Sequence, residues 1–284
     1  MGLWLALSVA PVVSAQTDQL SQSNPQVETA STEPLTFADA QAHFYNARYP
    51  AAASLTLELR SSAATESDDL ANIELRSSAL LFQLKRLIER PADKDDDKAR
   101  RLKACSACPE LLSAFFEEIR RGQTLARQRL KVDPRDETAL FLLGKLDLNY
   151  VWLQLGPLSR KTGWDEYWEA RRSLDAVLEK HPQHVRALVA RAWIDYIVDT
   201  RMPRGTRWVL GGGSRKRALS AVREAAGQES DFFSHAEAEF ALWDMLVRER
   251  DMAQATEVAG RLAERFPDNP EVARFLETRR TLTR

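Results

Sequence analysis

Cysteine is scarce in this chain, with 2 residues in 284, and histidine (4), glycine (11) and proline (12) are few. Two cysteines cannot build a disulfide-dense scaffold. His43, His181, His184 and His235 stand at no metal-motif spacing, so no zinc set is expected. Charge of one sign is lacking too. The 40 basic and 41 acidic residues leave a formal charge of −1, which gives no global field to draw the protein to nucleic acid or to an anionic membrane. Electrostatic recognition must therefore come from local clustering.

Catalytic signatures are missing as well. No Gly-x-Ser-x-Gly or His-Glu-x-x-His occurs, and no Gly-Lys-Ser/Thr follows the glycines at Gly211–Gly213. Asp93 to Lys98 lacks the alternating ligands, glycine and terminal Glu of a calcium loop and reads as a charged linker. No metal, no cofactor and no enzyme active site are expected.

What is present is helix-forming composition: 44% apolar residues, enough for a sizeable core, with abundant Ala, Leu, Arg and Glu. Residues 1–15 read as a signal peptide: Leu3 to Val13 is apolar apart from Ser8, and Val13-Ser14-Ala15 sets small residues at a cleavage position. That stretch is too short to span a bilayer, which needs ~20 residues. No transmembrane anchor is expected after cleavage, and the protein is placed in the periplasm or outside the cell. Residues 16–34, rich in Gln, Ser, Thr, Asn and Pro, read as a disordered leader. Residues 35–284 form the helical domain.

That domain repeats. Leu130 to Pro134, Leu178 to Pro182 and Ala263 to Pro267 each end an amphipathic run with Pro, and helix resumes at Ala139, Ala187 and Val272. Twelve positions before those prolines stand Gly122, Ala170 and Ala255, and Ala218 holds the same place in a copy without Pro. Small residues there let paired helices approach closely, with apolar stripes such as Leu174, Val177 and Leu178 following at helical spacing. The expected fold is all-α, a solenoid of about four to five helix hairpins: Phe37 to Arg60, Asp68 to Lys131, Glu137 to Lys180, His184 to Ala226 and Phe232 to Phe266, with Glu271 to Arg280 as a cap.

The pattern resembles the tetratricopeptide repeat family over about Phe37 to Arg280. Leu143-Gly144 matches the Leu-Gly of its first helix, and Ala47 to Ala52 and Arg250 to Ala255 resemble its turn into the second. The resemblance implies stacked hairpins whose concave face binds a protein or peptide, usually without catalysis. A looser similarity, to periplasmic tetratricopeptide proteins associated with tripartite (TRAP) solute transporters, implies a ligand-binding accessory instead. An internal cavity favours ligand binding; an open groove favours a scaffold. The family repeats every 34 residues, but Gly122, Ala170 and Ala218 stand 48 apart. The two excesses lengthen helices or project as loops, and their equivalent places in adjacent repeats predict a common edge.

Two segments fill them. The first holds Arg160, Lys161 and Trp164; the second holds Arg201, Arg204, Arg207, Trp208, Gly211, Gly212, Gly213, Ser214, Arg215 and Lys216, followed by Arg217. No acid occurs from Arg201 to Arg217. These residues are the candidate site for an anion or an acidic partner, with Ser214 as N-cap of a helix whose N–H groups and dipole favour negative charge. The alternative is a turn in which the glycines supply φ > 0 and the arginines are solvated or paired to the acidic first helices. Trp152, Trp164, Trp168, Trp193, Trp208 and Trp243 are expected to pack between helices, and His181 and His184 to be solvated turn residues. Cys105 and Cys108 are expected as a short disulfide, with free thiols and a redox pair as alternatives. Partner identity and oligomeric state are not legible.

Overall fold

The computed structural model describes residues 34–61, 65–88, 98–160, 162–202, 205 and 207–282. The expected signal peptide and nearly all of the leader lie outside the described residues, as do Lys161 and Arg204. Among the described residues the chain is all-helical, with twelve helices. They are α1 (Phe37–Tyr45), α2 (Tyr49–Ser61), α3 (Glu66–Ile88), α4 (Lys98–Ala104), α5 (Cys108–Val132) and α6 (Glu137–Leu155), then α7 (Trp164–Lys180), α8 (Val185–Arg201), α9 (Arg215–Gly227), α10 (Phe232–Arg248), α11 (Met252–Arg265) and α12 (Pro270–Leu282).

Short polar side chains start many of these helices by satisfying otherwise unpaired N–H groups. Thr36 and Asp39 form a reciprocal capping box at α1; Asp136, Ser214, Asp231 and Asp251 cap α6, α9, α10 and α11. Pro134, Pro182 and Pro267 stand in the turns after α5, α7 and α11.

Apart from the short α4, each helix packs against the next in sequence; α3, α6, α8 and α10 also touch in succession. These four make an inner layer, and α5, α7, α9 and α11 lie outside it. The small residues sit at the layer contacts. A Cβ on Gly122 would fall 2.6 Å from Leu146 Cδ1 and 2.8 Å from Ile73 Cγ2. Ala170, Ala218 and Ala255 are buried on α7, α9 and α11. Their stripes follow at helical spacing: Leu174 and Val177, Val222 and Ala225, Ala259 and Leu262 are all buried. The largely apolar α6 presents no single face, since Leu142, Leu143, Leu146 and Leu153 are all buried between α5 and α7 on one side and the inner layer on the other.

The C-terminal end returns to the N-terminal one. Tyr45 stacks with Phe233 and Phe240 at centroid distances of 5.9 and 5.5 Å, and Phe266 lies 5.5 Å away. Asn269, the cap of α12, donates to the Tyr45 carbonyl, and Glu271 pairs with Arg86 at 2.8 Å.

Candidate functional site

The second long insertion packs on α7, the helix into which the first one leads. The first becomes the turn between α6 and α7, the second the turn between α8 and α9. Tyr167 Oη and Arg171, on α7, donate to the Leu210 carbonyl at 2.8 and 3.0 Å, and Arg171 also reaches the Gly211 carbonyl at 3.1 Å. Gly211 and Gly212 have φ of +78° and +71°, which side chains oppose, and Gly212 N–H closes the turn on the Arg207 carbonyl at 2.8 Å. Gly213 is small for a different reason: its Cβ would lie 2.5 Å from the Asp195 carbonyl oxygen.

The anion position at the start of α9 is filled from within the chain. Ser214 caps as expected, accepting from Arg217 N–H at 3.3 Å. Asp199 Oδ2 accepts from Arg215 N–H at 2.9 Å, and its other oxygen takes Arg207. Arg215 also reaches Glu249 at 3.5 Å. Arg201, Arg207, Arg215 and Arg248 face Asp199 and Glu249 across a polar cleft of about 610 Å³. Arg160, Arg201, Lys216 and Arg217 are exposed.

Three placements differ from expectation. Trp208 does not pack between helices; it is 78% exposed at the apex of its turn. His184 is the N-cap of α8, its Nδ1 accepting from Ala187 N–H at 3.1 Å and its ring 4.7 Å from Phe141. Burial holds its imidazole below the usual histidine range. Trp164, expected between helices, is 41% exposed, whereas His181 is an exposed turn residue as expected, its Nε2 2.8 Å from Glu137. Both histidines are held because the turn wraps onto the start of α6. Cys105 and Cys108 are joined in a disulfide where α4 hands over to α5. Among the described residues no group of three or more Asp, Glu, His or Cys could hold a metal.

Sequence reasoning missed an internal cavity of about 380 Å³ facing the inner layer. Its walls are aromatic: Phe44, Tyr49 and Phe82 from α1 to α3, Trp152 and Trp193 from α6 and α8, Phe240 and Trp243 from α10, and Phe275 from α12. Trp152 and Trp193 meet edge to face at 5.5 Å, as do Trp243 and Phe275. Four of its charged side chains form one cluster. Arg186 Nε pairs with Glu237 at 2.6 Å and its other end with Glu74 at 3.2 Å; Lys145 contacts both acids. Burial alone would raise the Glu237 carboxyl, but the charges and hydrogen bonds of Arg186 and Lys145 hold it at about 2.

The other cavity acids are engaged as well, Asp244 with Arg248 and Glu271 with Arg86. Lys85 differs: its ammonium lies 4.6 Å from the Phe82 ring centroid and 6.0 Å from that of Trp152, with no ion pair among the described residues. Neutralised walls and one such cation suit an apolar body with a polar end rather than a bare ion. The signal available in sequence was Lys145 inside the apolar run Phe141 to Leu148, since a charge there requires a buried partner.

No protein-family model matches the chain, and neither does any curated protein or solved structure.

Proposed function

We propose that this is a non-enzymatic binding protein whose internal cavity takes a small organic ligand with an apolar body and a polar end directed at Lys85. The aromatic-walled cavity between the inner helices carries the reading, because its volume falls in the range of small-molecule pockets and its acids are already partnered. The architecture that supports it is a tetratricopeptide-like solenoid: α1 with α2, α3 with α5, α6 with α7, α8 with α9 and α10 with α11 form the pairs, and α12 is the cap. In that frame the concave side, which in an open superhelix receives peptides, is narrowed by the return of α12 to α1. Export to the periplasm and service as a ligand-binding accessory of a solute transporter fit the same reading.

The test is native mass spectrometry of the purified protein after exposure to a small-molecule extract of its source cells. A bound mass should appear and should be lost in Ala190→Trp, which fills the cavity from α8. No bound mass, or one unaffected by this substitution in a folded variant, overturns the ligand reading. A second reading, a scaffold for an acidic protein or peptide, rests on the exposed cations at the start of α9; there Lys216→Ser with Arg217→Ser should weaken capture of an acidic partner and leave the bound small mass unchanged.

A further inference from the structure

The apex of the second insertion combines two features that neither the cavity nor the helix cap uses. Trp208 and Val209 are adjacent and outward, 78% and 53% exposed. Their exposure is built in rather than loose. Leu210, next in sequence, is buried; its carbonyl is held by Tyr167 and Arg171, and Gly212 N–H closes the turn behind the pair. At the start of α9, into which the turn leads, Lys216 and Arg217 are exposed and have no ion pair among the described residues, while Asp199 is occupied by Arg207 and by the Arg215 N–H. Trp164, 41% exposed, joins the same edge, since its ring meets Tyr167 at 6.3 Å.

We propose that this apex docks the protein on an anionic lipid surface, Trp208 and Val209 entering the headgroup boundary and Lys216 and Arg217 facing the lipid phosphates. Charge complementarity selects the sign of the partner, and shape selects its kind. An acidic protein needs the cations but gives two protruding apolar side chains no pocket to fill. A bilayer interface accepts a convex apex, and indole rings concentrate there, with apolar body and N–H on opposite sides of the boundary. Each cation near such a surface strengthens attachment about fivefold. No described helix is long and apolar enough to cross a membrane, so this contact is peripheral, reversible and weakened by salt.

The experiment is co-sedimentation of the full chain with phosphatidylcholine vesicles, with and without phosphatidylglycerol, at low and high salt. Binding should require phosphatidylglycerol and fall with salt. Trp208→Ser with Val209→Ser should lower it roughly tenfold. Lys216→Ser with Arg217→Ser should lower it about twenty-five-fold. Trp208→Phe should retain most of it, and circular dichroism should show every variant folded. Absent binding, binding indifferent to phosphatidylglycerol, or binding that survives both double substitutions, as attachment through another segment would, overturns the proposal. So does binding to polyglutamate that needs Lys216 and Arg217 while vesicle binding is absent, which assigns the edge to an acidic polypeptide.

Discussion

Asn269 donates its side-chain N–H to the backbone carbonyl of Tyr45 at 2.7 Å, across 224 positions of sequence. The same side chain accepts from Glu271 and Val272 N–H groups at 2.9 and 3.1 Å, so one amide both starts α12 and ties it to the end of α1. An open stack of hairpins has no contact of this kind between its ends. Here the closure narrows the inner face into a cavity, and Tyr45 is buried among the aromatic rings of α10 and the segment after α11.

Asn269→Asp separates the two tasks of that amide. The carboxylate still caps α12, but it sets an oxygen against the Tyr45 carbonyl in a buried site. Urea unfolding should show a loss of about 1–3 kcal/mol. Arg48→Ser, which removes the exposed pair with Asp268, should cost less than about 1 kcal/mol. Equal effects would show that the closure is held by surface charge instead.

The buried quartet should be the costliest place to cut. Arg186 and Lys145, from α8 and α6, each contact Glu74 on α3 and Glu237 on α10. Glu237→Gln leaves two cations with one acid, and breaking a buried pair in this way costs roughly 3–5 kcal/mol. The carboxyl is held below its unfolded value of 4.5, so its contribution is full above that pH and is lost as pH falls toward about 2. Acid unfolding of the wild type should therefore carry a component that Glu237→Gln lacks; identical acid profiles would remove the quartet from the account.

Helix positions and small-residue contacts were legible because they follow from period and punctuation. Pro134, Pro182 and Pro267 mark turns by backbone chemistry alone, and Gly122 and Ala170 mark close approach by size alone. The two longer turns, between α6 and α7 and between α8 and α9, were legible as an excess of length. The cavity was not, because Trp152, Trp193 and Trp243 have the same local pattern whether they fill space between helices or line a void. What separates the two is the return of α12 to α1, tied by Asn269, by the Glu271–Arg86 and Arg48–Asp268 pairs and by the rings around Tyr45. The engagement of Arg207 and Arg215 was legible only as the alternative of pairing to the acidic first helices: no acid lies among Arg201 to Arg217, and their partners are Asp199 on α8 and Glu249 just past the end of α10.

Asp147 gives a stability effect of the opposite sign. It is fully buried on α6, Gln123 Nε2 donates to its Oδ1 at 2.7 Å, and no donor reaches Oδ2. Burial, and then the charge of Glu169 on α7, push this carboxyl up to about 9. A proton on Oδ2, shared toward Glu169, satisfies both acids, and Arg127 on α5 holds Glu169 at 3.1 Å. The contribution of that proton is full below about 4 and is lost as pH rises toward about 9. Asp147→Asn keeps an acceptor for Gln123 and a donor for Glu169 without ionising. It should gain on the order of a few kcal/mol over wild type in urea unfolding at pH 8, with the gap closing at pH 4. A variant less stable at both pH values would refute the shared proton.

His184 supplies the last test. As N-cap of α8 it uses Nδ1 as acceptor for Ala187 N–H, which only the unprotonated nitrogen can do. Burial disfavours its charged form and the neighbouring Arg186 adds to this, whereas Glu137 and Glu237 act against it; the net shift is downward from 6.5. A histidine held below its unfolded value contributes stability that is present above pH 6.5 and is lost as pH falls through the folded value. Protonation then removes the cap and sets a second cation beside Arg186. Asn, a strong cap that does not titrate, separates this from general acid sensitivity. His184→Asn should match the wild type at pH 8 and exceed it by about 1 kcal/mol at pH 5, read from urea midpoints. His184→Ala should be less stable at pH 8 by about 1 kcal/mol and converge on the wild type at pH 5. Parallel pH profiles for all three proteins would show that the cap does not titrate and that the acid response of this end of the molecule belongs to its carboxylates.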